Sequence, residues 1–367
     1  MTTNLNTSSI KISSLRTAKT MSTHTIATSL QTETETSTVI DRRWQEALQT
    51  LITDPRELIT LLELPEEALQ GALASAKDFP LKVPRPFIEK MKKGDLNDPL
   101  LKQVLPIHQE QDAIPGFTYD PLEESESNPV PGLIHKYRSR VLIVTSSQCA
   151  IHCRYCFRRH FPYEDNRSQG NHWSKMLHYL QQHPQVNEVI FSGGDPLSIG
   201  NRALINMLND IETIAHIKRV RFHTRLPVVI PERLDTPLIE ALANSTLKTL
   251  LVIHTNHPNE LDTRLAKRLH KAQQAGITLL NQTVLLKGIN DCADVLSELS
   301  EALFAAGVMP YYLHLLDRVS GAAHFEVSEK QAQTLYKTLL GELPGFLVPK
   351  LVREIAGKES KTPISVF

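Results

Sequence analysis

The period of the hydrophobic positions changes near residue 140. Before it, apolar residues recur at helical spacing: Trp44, Leu48, Leu51 and Ile52, then Leu58, Leu61 and Leu62. Asp54-Pro55 between the two sets fits a helix N-cap followed by proline in the first turn, and Pro65 predicts the end of that helix. Residues 80–132 hold Pro80, Pro84, Pro86, Pro99, Pro106, Pro115, Pro121, Pro129 and Pro131, and read as short helices and extended connections wrapping onto the next domain. From 140 onward, short apolar runs alternate with helical stripes. The runs at 141–145, 188–191, 220–223, 250–254, 277–282 and 309–315 predict parallel strands buried on both faces. Leu261, Leu265, Leu269 and Ala272 form one helical stripe, and Leu296, Leu299 and Leu303 another, with Cys292 at its start read as core.

Six β/α units place the chain in the α/β class, with a parallel sheet that is a partial barrel or doubly wound. In either case chemistry belongs at the C-terminal strand ends. The notable residues fall there: three cysteines after the first strand, Gly193-Gly194-Asp195 after the second, His254 closing the fourth and Asp317 after the sixth. The expected organisation is an extension at 1–40, a mostly helical accessory region at 41–132, the α/β core at 133–345 and a C-terminal segment at 346–367. The first 40 residues are rich in Ser and Thr, with no acid before Glu33 and only Lys11, Arg16 and Lys19 as cations. A transit peptide would suit that composition, but without an arginine-rich amphipathic face the segment reads as a disordered extension, or as residues upstream of a start at Met21.

Charge and cysteine usage narrow the function. Lys+Arg and Asp+Glu both number 40, so no basic footprint for nucleic acid exists. No apolar run approaches the roughly 20 residues that span a bilayer, and the chain reads as soluble and cytoplasmic. Three of the four cysteines, Cys149, Cys153 and Cys156, lie within eight residues. That is not a disulfide scaffold but metal or catalytic chemistry in a reducing compartment. Thiolates spaced x3 and x2 can ligate three irons of a [4Fe–4S] cubane and leave the fourth open to a substrate. The alternative is zinc, with His152 or His160 as fourth ligand. Ser192-Gly193-Gly194-Asp195-Pro196 is either a turn or a backbone edge that a ligand approaches closely.

Cys-x3-Cys-x2-Cys followed by Phe157 resembles the signature of the radical S-adenosylmethionine (SAM) superfamily. The resemblance implies a partial parallel (β/α)6 barrel and a cluster whose open iron binds SAM and cleaves it to a 5′-deoxyadenosyl radical. It implies SAM contacts at Ser192, Gly193, Gly194 and Asp195, and near His254 and Gln282.

A narrower resemblance covers roughly residues 105–363. Pro129 to Tyr137, Arg140, the Cys156-Phe-Arg158-Arg159 run, Lys287-Gly288-Ile289-Asn290-Asp291 and Lys361-Thr362-Pro363 are similar, in order, to motifs of the lysine 2,3-aminomutase family. That implies pyridoxal phosphate (PLP) on Lys361, its phosphate on Arg140 with Lys136 assisting, the substrate carboxylate on Arg158, and the L-lysine ε-ammonium on Asp317 and Glu354. Glu354 stands where the family has aspartate, and the family's glycine-rich run is reduced to Gly357-Lys358-Glu359-Ser360.

The chain also ends at Phe367 without the extra cysteines of the free-lysine enzymes, so it resembles the short branch that supplies (R)-β-lysine to a ligase modifying elongation factor P (EF-P). A flavodoxin- or ferredoxin-type reductant is implied. The competing readings are a free-lysine aminomutase of a metabolic pathway, an enzyme acting on glutamate, which Asp317 disfavours, and a non-enzymatic zinc-knuckle binding protein, which leaves Lys361, Arg158 and Asp317 without a role.

Overall fold

The computed structural model describes residues 43–366 apart from Arg167 and Gln169, so the expectations for residues 1–40 lie outside the described residues. The six apolar runs all form strands: β2 (Arg140–Ser146), β3 (Glu188–Gly193), β4 (Arg219–Thr224), β5 (Lys248–His254), β6 (Thr278–Val284) and β7 (Met309–His314). Three strands were not foreseen: β1 (Leu133–Tyr137), β8 (Lys350–Arg353) and β9 (Thr362–Pro363). β2 to β8 run parallel, β1 and β9 pair antiparallel at the two edges, and strand order follows chain order throughout. A doubly wound sheet reverses its order at a switch point. The sequential order therefore selects the partial barrel, open between β1 and β9.

The accessory region supplies α1 (Arg43–Gln49), α2 (Pro55–Leu61), α3 (Glu67–Ser75) and α4 (Arg85–Ile88). Asp54 caps α2 as its sequence predicts, its side chain accepting from Arg56 N. The first stripe is cut short: α1 ends at Gln49, and Ile52 bridges Val83 through two backbone hydrogen bonds of 2.9 and 3.0 Å. The core helices α5 (Asn171–Gln182), α6 (Asn201–Glu212), α7 (Leu226–Val229), α8 (Thr236–Ala243), α9 (Thr263–Gln274), α10 (Ala293–Ala305) and α11 (Glu329–Glu342) fill the crossovers. Leu265, Leu269 and Ala272 of α9 are fully buried against the sheet, behind the Asp262 cap. Cutting such a leucine to alanine costs about 2–5 kcal/mol. Cys292 differs from expectation. It stands at the N-cap of α10 and is exposed, because the buried stripe begins only at Leu296.

The inner sheet face is not apolar. Along β4, Val220, Phe222 and Thr224 are buried while Arg221 and His223, on the other face, line the barrel interior. Apolar side chains thus pack outward under the helices, and the polar set points into a central cavity. No helix of the described residues is long and apolar enough to cross a membrane.

Candidate active site

One cavity of about 690 Å³ runs through the barrel, and every cluster, cofactor and substrate residue expected from the sequence lines it, whereas His160, the alternative zinc ligand, does not. Its roof is the loop after β2 with Cys149, Cys153 and Cys156. The accessory region holds that loop. His152 N donates to Lys82 O (2.9 Å) and Arg154 N to Gln103 O (2.9 Å). The Arg154 guanidinium donates to both Glu110 oxygens (2.8 and 2.5 Å), Arg159 shares Glu110 Oε2 (2.8 Å), and both arginines stack on Phe79. His152 Nδ1 lies 2.8 Å from Pro80 O, and His160 Nε2 faces Ser320 O.

No group of three His, Cys, Asp or Glu side chains among the described residues converges as a single metal ion requires. The thiols suit a cubane, which spreads its ligands over separate irons, better than one zinc. Burial, reinforced by Cys153, pushes the Cys156 thiol up to about 11, and burial with Cys156 raises Cys149 as well. These are sulfurs that need a metal to hold them as thiolates.

The glycine pair is explained by this loop. A Cβ on Gly194 would come within 2.5 Å of Gln148 O, and one on Gly193 (φ +114°) within 2.7 Å of Ser146 O. The close approach is of backbone to backbone, with Gly194 N donating to Ser146 O (2.7 Å). Asp195, expected among the SAM contacts, is engaged within the fold. It accepts from Leu197 N, Thr224 Oγ1, Arg225 N and Leu226 N, joining the ends of β3 and β4. His254 Nε2 meets Tyr155 Oη at 3.0 Å, and burial with nearby Arg225 holds the ring neutral, its pKa lowered to about 3. The Gln282 side chain faces the cavity.

Across the cavity runs a chain of alternating charges. The hairpin of β8 and β9, turned at Gly357 (φ +74°), brings Lys361 Nζ to 2.5 Å from Glu354 Oε2. Glu354 Oε1 lies 3.4 Å from Lys136 Nζ and 3.2 Å from Tyr137 Oη. Lys136 in turn lies 3.4 Å from Glu124, which clasps Arg158 side-on through Nε (2.7 Å) and Nη2 (2.9 Å). Burial disfavours the Glu354 charge, but Lys361 and Lys136 outweigh it and hold the carboxyl at about 2.

Three expectations are refined by this chain. Glu354 is the counterion of Lys361, Lys136 bridges two acids, and Arg158 already spends its Nε/Nη2 edge on Glu124 and Nη1 on Ser192 Oγ (3.1 Å). Asp317 stands apart. No donor bonds its carboxylate among the described residues, and burial followed by the Glu354 charge raises its pKa to about 7.

The floor is cationic and phenolic. Arg140 stacks on Tyr137 with no carboxylate partner among the described residues. Arg221 is bonded to Glu188 but leaves a buried Nε without a partner, and Tyr311 and Tyr312 lie beside it. Two guanidiniums and three phenols make a fitting seat for a phosphate monoester. His223 Nε2 is also buried and unpartnered, in a ring kept neutral by burial and by Arg221.

Sequence reasoning missed Arg221, His223, Glu124, Tyr155 and Arg225. The polar alternation Arg219, Arg221, His223 within a strand was the available signal for the first two. Glu124 was hidden in the proline-rich stretch.

The sequence model of the Radical SAM superfamily matches residues 143–299. Over 324 residues the chain is 51% identical to the L-lysine 2,3-aminomutase of Escherichia coli (strain K12), covering 88% of this chain and 94% of that protein. It is 48% identical to the L-lysine 2,3-aminomutase of Haemophilus influenzae, covering 88% and 95%. The enzyme of the same name from Clostridium subterminale is 33% identical, covering 88% and 77%. With the cysteine loop roofing the open parallel barrel and identity of this order along almost the whole of two relatives, the chain belongs to the L-lysine 2,3-aminomutase family of radical SAM enzymes.

Proposed function

We propose that the chain interconverts L-lysine and (R)-β-lysine using a [4Fe–4S] cluster, SAM and PLP. The observation that carries this reading is a single cavity lined by the three thiols of the cysteine loop, by Lys361 and by the Arg140 and Arg221 guanidiniums. Cys149, Cys153 and Cys156 would hold the cluster, Lys361 would carry PLP, and Arg140 would take its phosphate. When bound, the cluster and SAM supply a 5′-deoxyadenosyl radical that removes a substrate hydrogen, and PLP supplies a π-system over which the unpaired electron spreads as nitrogen migrates.

The chain's own residues bind, orient and exclude water. Arg158, clamped by Glu124 and bonded through Nη1 to Ser192, offers the second N–H of each Nη to the substrate carboxylate. Asp317 receives the ε-ammonium, whose charge offsets the cost of ionising a buried carboxylate. Glu354 pairs with Lys361 and holds its Nζ in the cavity. The neutral rings of His223, His254 and His314 add no cation that would compete for the carboxylate. The depth of the cavity within the barrel limits the water that reaches a radical.

The narrower role, supply of (R)-β-lysine for a ligase that modifies EF-P, is carried by the family resemblance, as is a flavodoxin- or ferredoxin-type reductant. The test is anaerobic, iron-reconstituted protein with SAM, PLP, dithionite and L-lysine, assayed chromatographically for β-lysine. Product from the wild type and none from Lys361→Ala supports the aminomutase, and SAM cleavage without β-lysine refutes the substrate. Transfer of the product to EF-P by a β-lysyl ligase tests the narrower role.

A further inference from the structure

The proposed aminomutase chemistry leaves Arg225 without a task. It follows β4, and its guanidinium is buried. Nη1 donates to Cys153 Sγ (2.7 Å) and Tyr155 Oη (2.6 Å), while Nη2 donates to Gln103 Oε1 (2.6 Å) and Glu260 Oε2 (2.9 Å). Its backbone N–H is fixed on Asp195 Oδ2 (2.7 Å). The acceptors are themselves pinned: Asn256 Nδ2 donates to Tyr155 Oη (2.7 Å) and to Gln103 Oε1 (3.0 Å). Glu260 Oε1 accepts from Asn256 N and His257 N. The side chain therefore has one geometry, and among the described residues only Cys153 of the three cluster cysteines receives a charged side-chain donor.

Hydrogen bonds to ligand sulfurs, and the charges behind them, are among the levers that set the potential of an iron–sulfur centre. We propose that Arg225 is a positioning residue for the cluster: it donates to Cys153 Sγ and fixes a positive charge beside the cluster, favouring the one-electron-reduced state. The proposal rests on the cluster assignment but not on PLP or on lysine as substrate. The electron comes from an external reductant, and no bond forms or breaks. Reduction adds one negative charge to the cluster, which the guanidinium stabilises. Glu260, fully buried, offsets part of that effect and sets its size.

The test is an EPR-monitored redox titration of the anaerobically reconstituted full chain, without SAM, using dithionite and mediators. Iron and sulfide content and circular dichroism check that each variant is folded and loaded. Arg225→Met is expected to lower the reduced-to-oxidised ratio at a fixed potential about tenfold, a shift of about 59 mV to more negative potential for a one-electron couple. Arg225→Lys is expected to return part of that shift. Glu260→Gln leaves the arginine and removes its counterion, so its midpoint is expected to move the opposite way, to more positive potential. That variant decides the matter if Arg225→Met does not fold. An unchanged midpoint in fully loaded Arg225→Met, or a negative shift in Glu260→Gln, overturns the proposal. A wild type without any reducible cluster overturns the cluster assignment along with it.

Discussion

Burial and the charge of Glu354 raise Asp317 to about 7, whereas a free aspartate titrates near ~3.9 and the lysine ε-amine near ~10.4. Between pH 6 and 8 the substrate therefore stays cationic while its acceptor changes charge. If only the carboxylate binds the ammonium, apparent affinity scales with the ionised fraction. That fraction is about one in eleven at pH 6 and ten in eleven at pH 8, so affinity falls roughly tenfold, about 1.4 kcal/mol, on acidification. Bound ammonium holds Asp317 ionised, so the inflection belongs in kcat/KM and not in kcat. Asp317→Asn should remove the inflection and raise KM by about 10- to 150-fold, the equivalent of a charged hydrogen bond worth about 1.5–3 kcal/mol.

Stability should move the other way. The folded pKa lies above the unfolded one, so the carboxyl opposes folding fully above pH 7 and not at all below about pH 4. Ligand-free Asp317→Asn should therefore melt higher than wild type at pH 8 and level with it at pH 4. A kcat/KM that is flat from pH 6 to 8, or an inflection that persists in Asp317→Asn, would refute the assignment.

Lys361→Ala should lose PLP on gel filtration, followed by the cofactor's absorbance, and a variant that keeps it would exclude Lys361 as its anchor. Glu110→Gln strips the carboxylate from two buried arginines. Breaking such a pair costs about 3–5 kcal/mol, so the chemical-denaturation midpoint and iron retention should both fall, and an unchanged midpoint would show that Phe79 stacking suffices. Gly194→Ala drives a Cβ into the cysteine loop, so iron per chain should drop while far-ultraviolet circular dichroism is preserved. Normal loading would mean that the loop yields without cost.

Fold and roof were legible because their signals are local. Six apolar runs separated by 3.6-period stripes define the β/α repeats, and the cysteine spacing lies within eight residues. β8 and β9 were not legible, since a four-residue strand and a two-residue strand carry too little periodicity. The partners of the site residues were hidden for a different reason. Glu124 and Arg158 are 34 positions apart, Gln103 and Arg225 122, and Lys136 and Glu354 218. Only the fold brings them together. The sequence could name Glu354 and Lys136 as ligand groups but could not show that each is already held by an opposite charge. Cys292 was misjudged because a stripe alone does not say where the buried face begins.

The ion chain explains how a barrel with a charged interior stays folded when empty. Each charge from Arg158 to Lys361 has an opposite neighbour, which offsets its desolvation. The groups that the chain leaves unpaired are informative. Among the described residues Arg140 has no anion, Arg221 has an unpartnered Nε, and Asp317 has no cation bonded to it. Of these, only the Arg221 Nε is a buried group left unmade, at a cost of about 1–3 kcal/mol, but all three suit the ligands proposed for the cavity: an anion at the floor and a cation at the wall. PLP with lysine bound, as proposed above, would meet both demands at once. Glutamate would set a second carboxylate against Asp317, and a zinc-knuckle binding protein would have no use for either group.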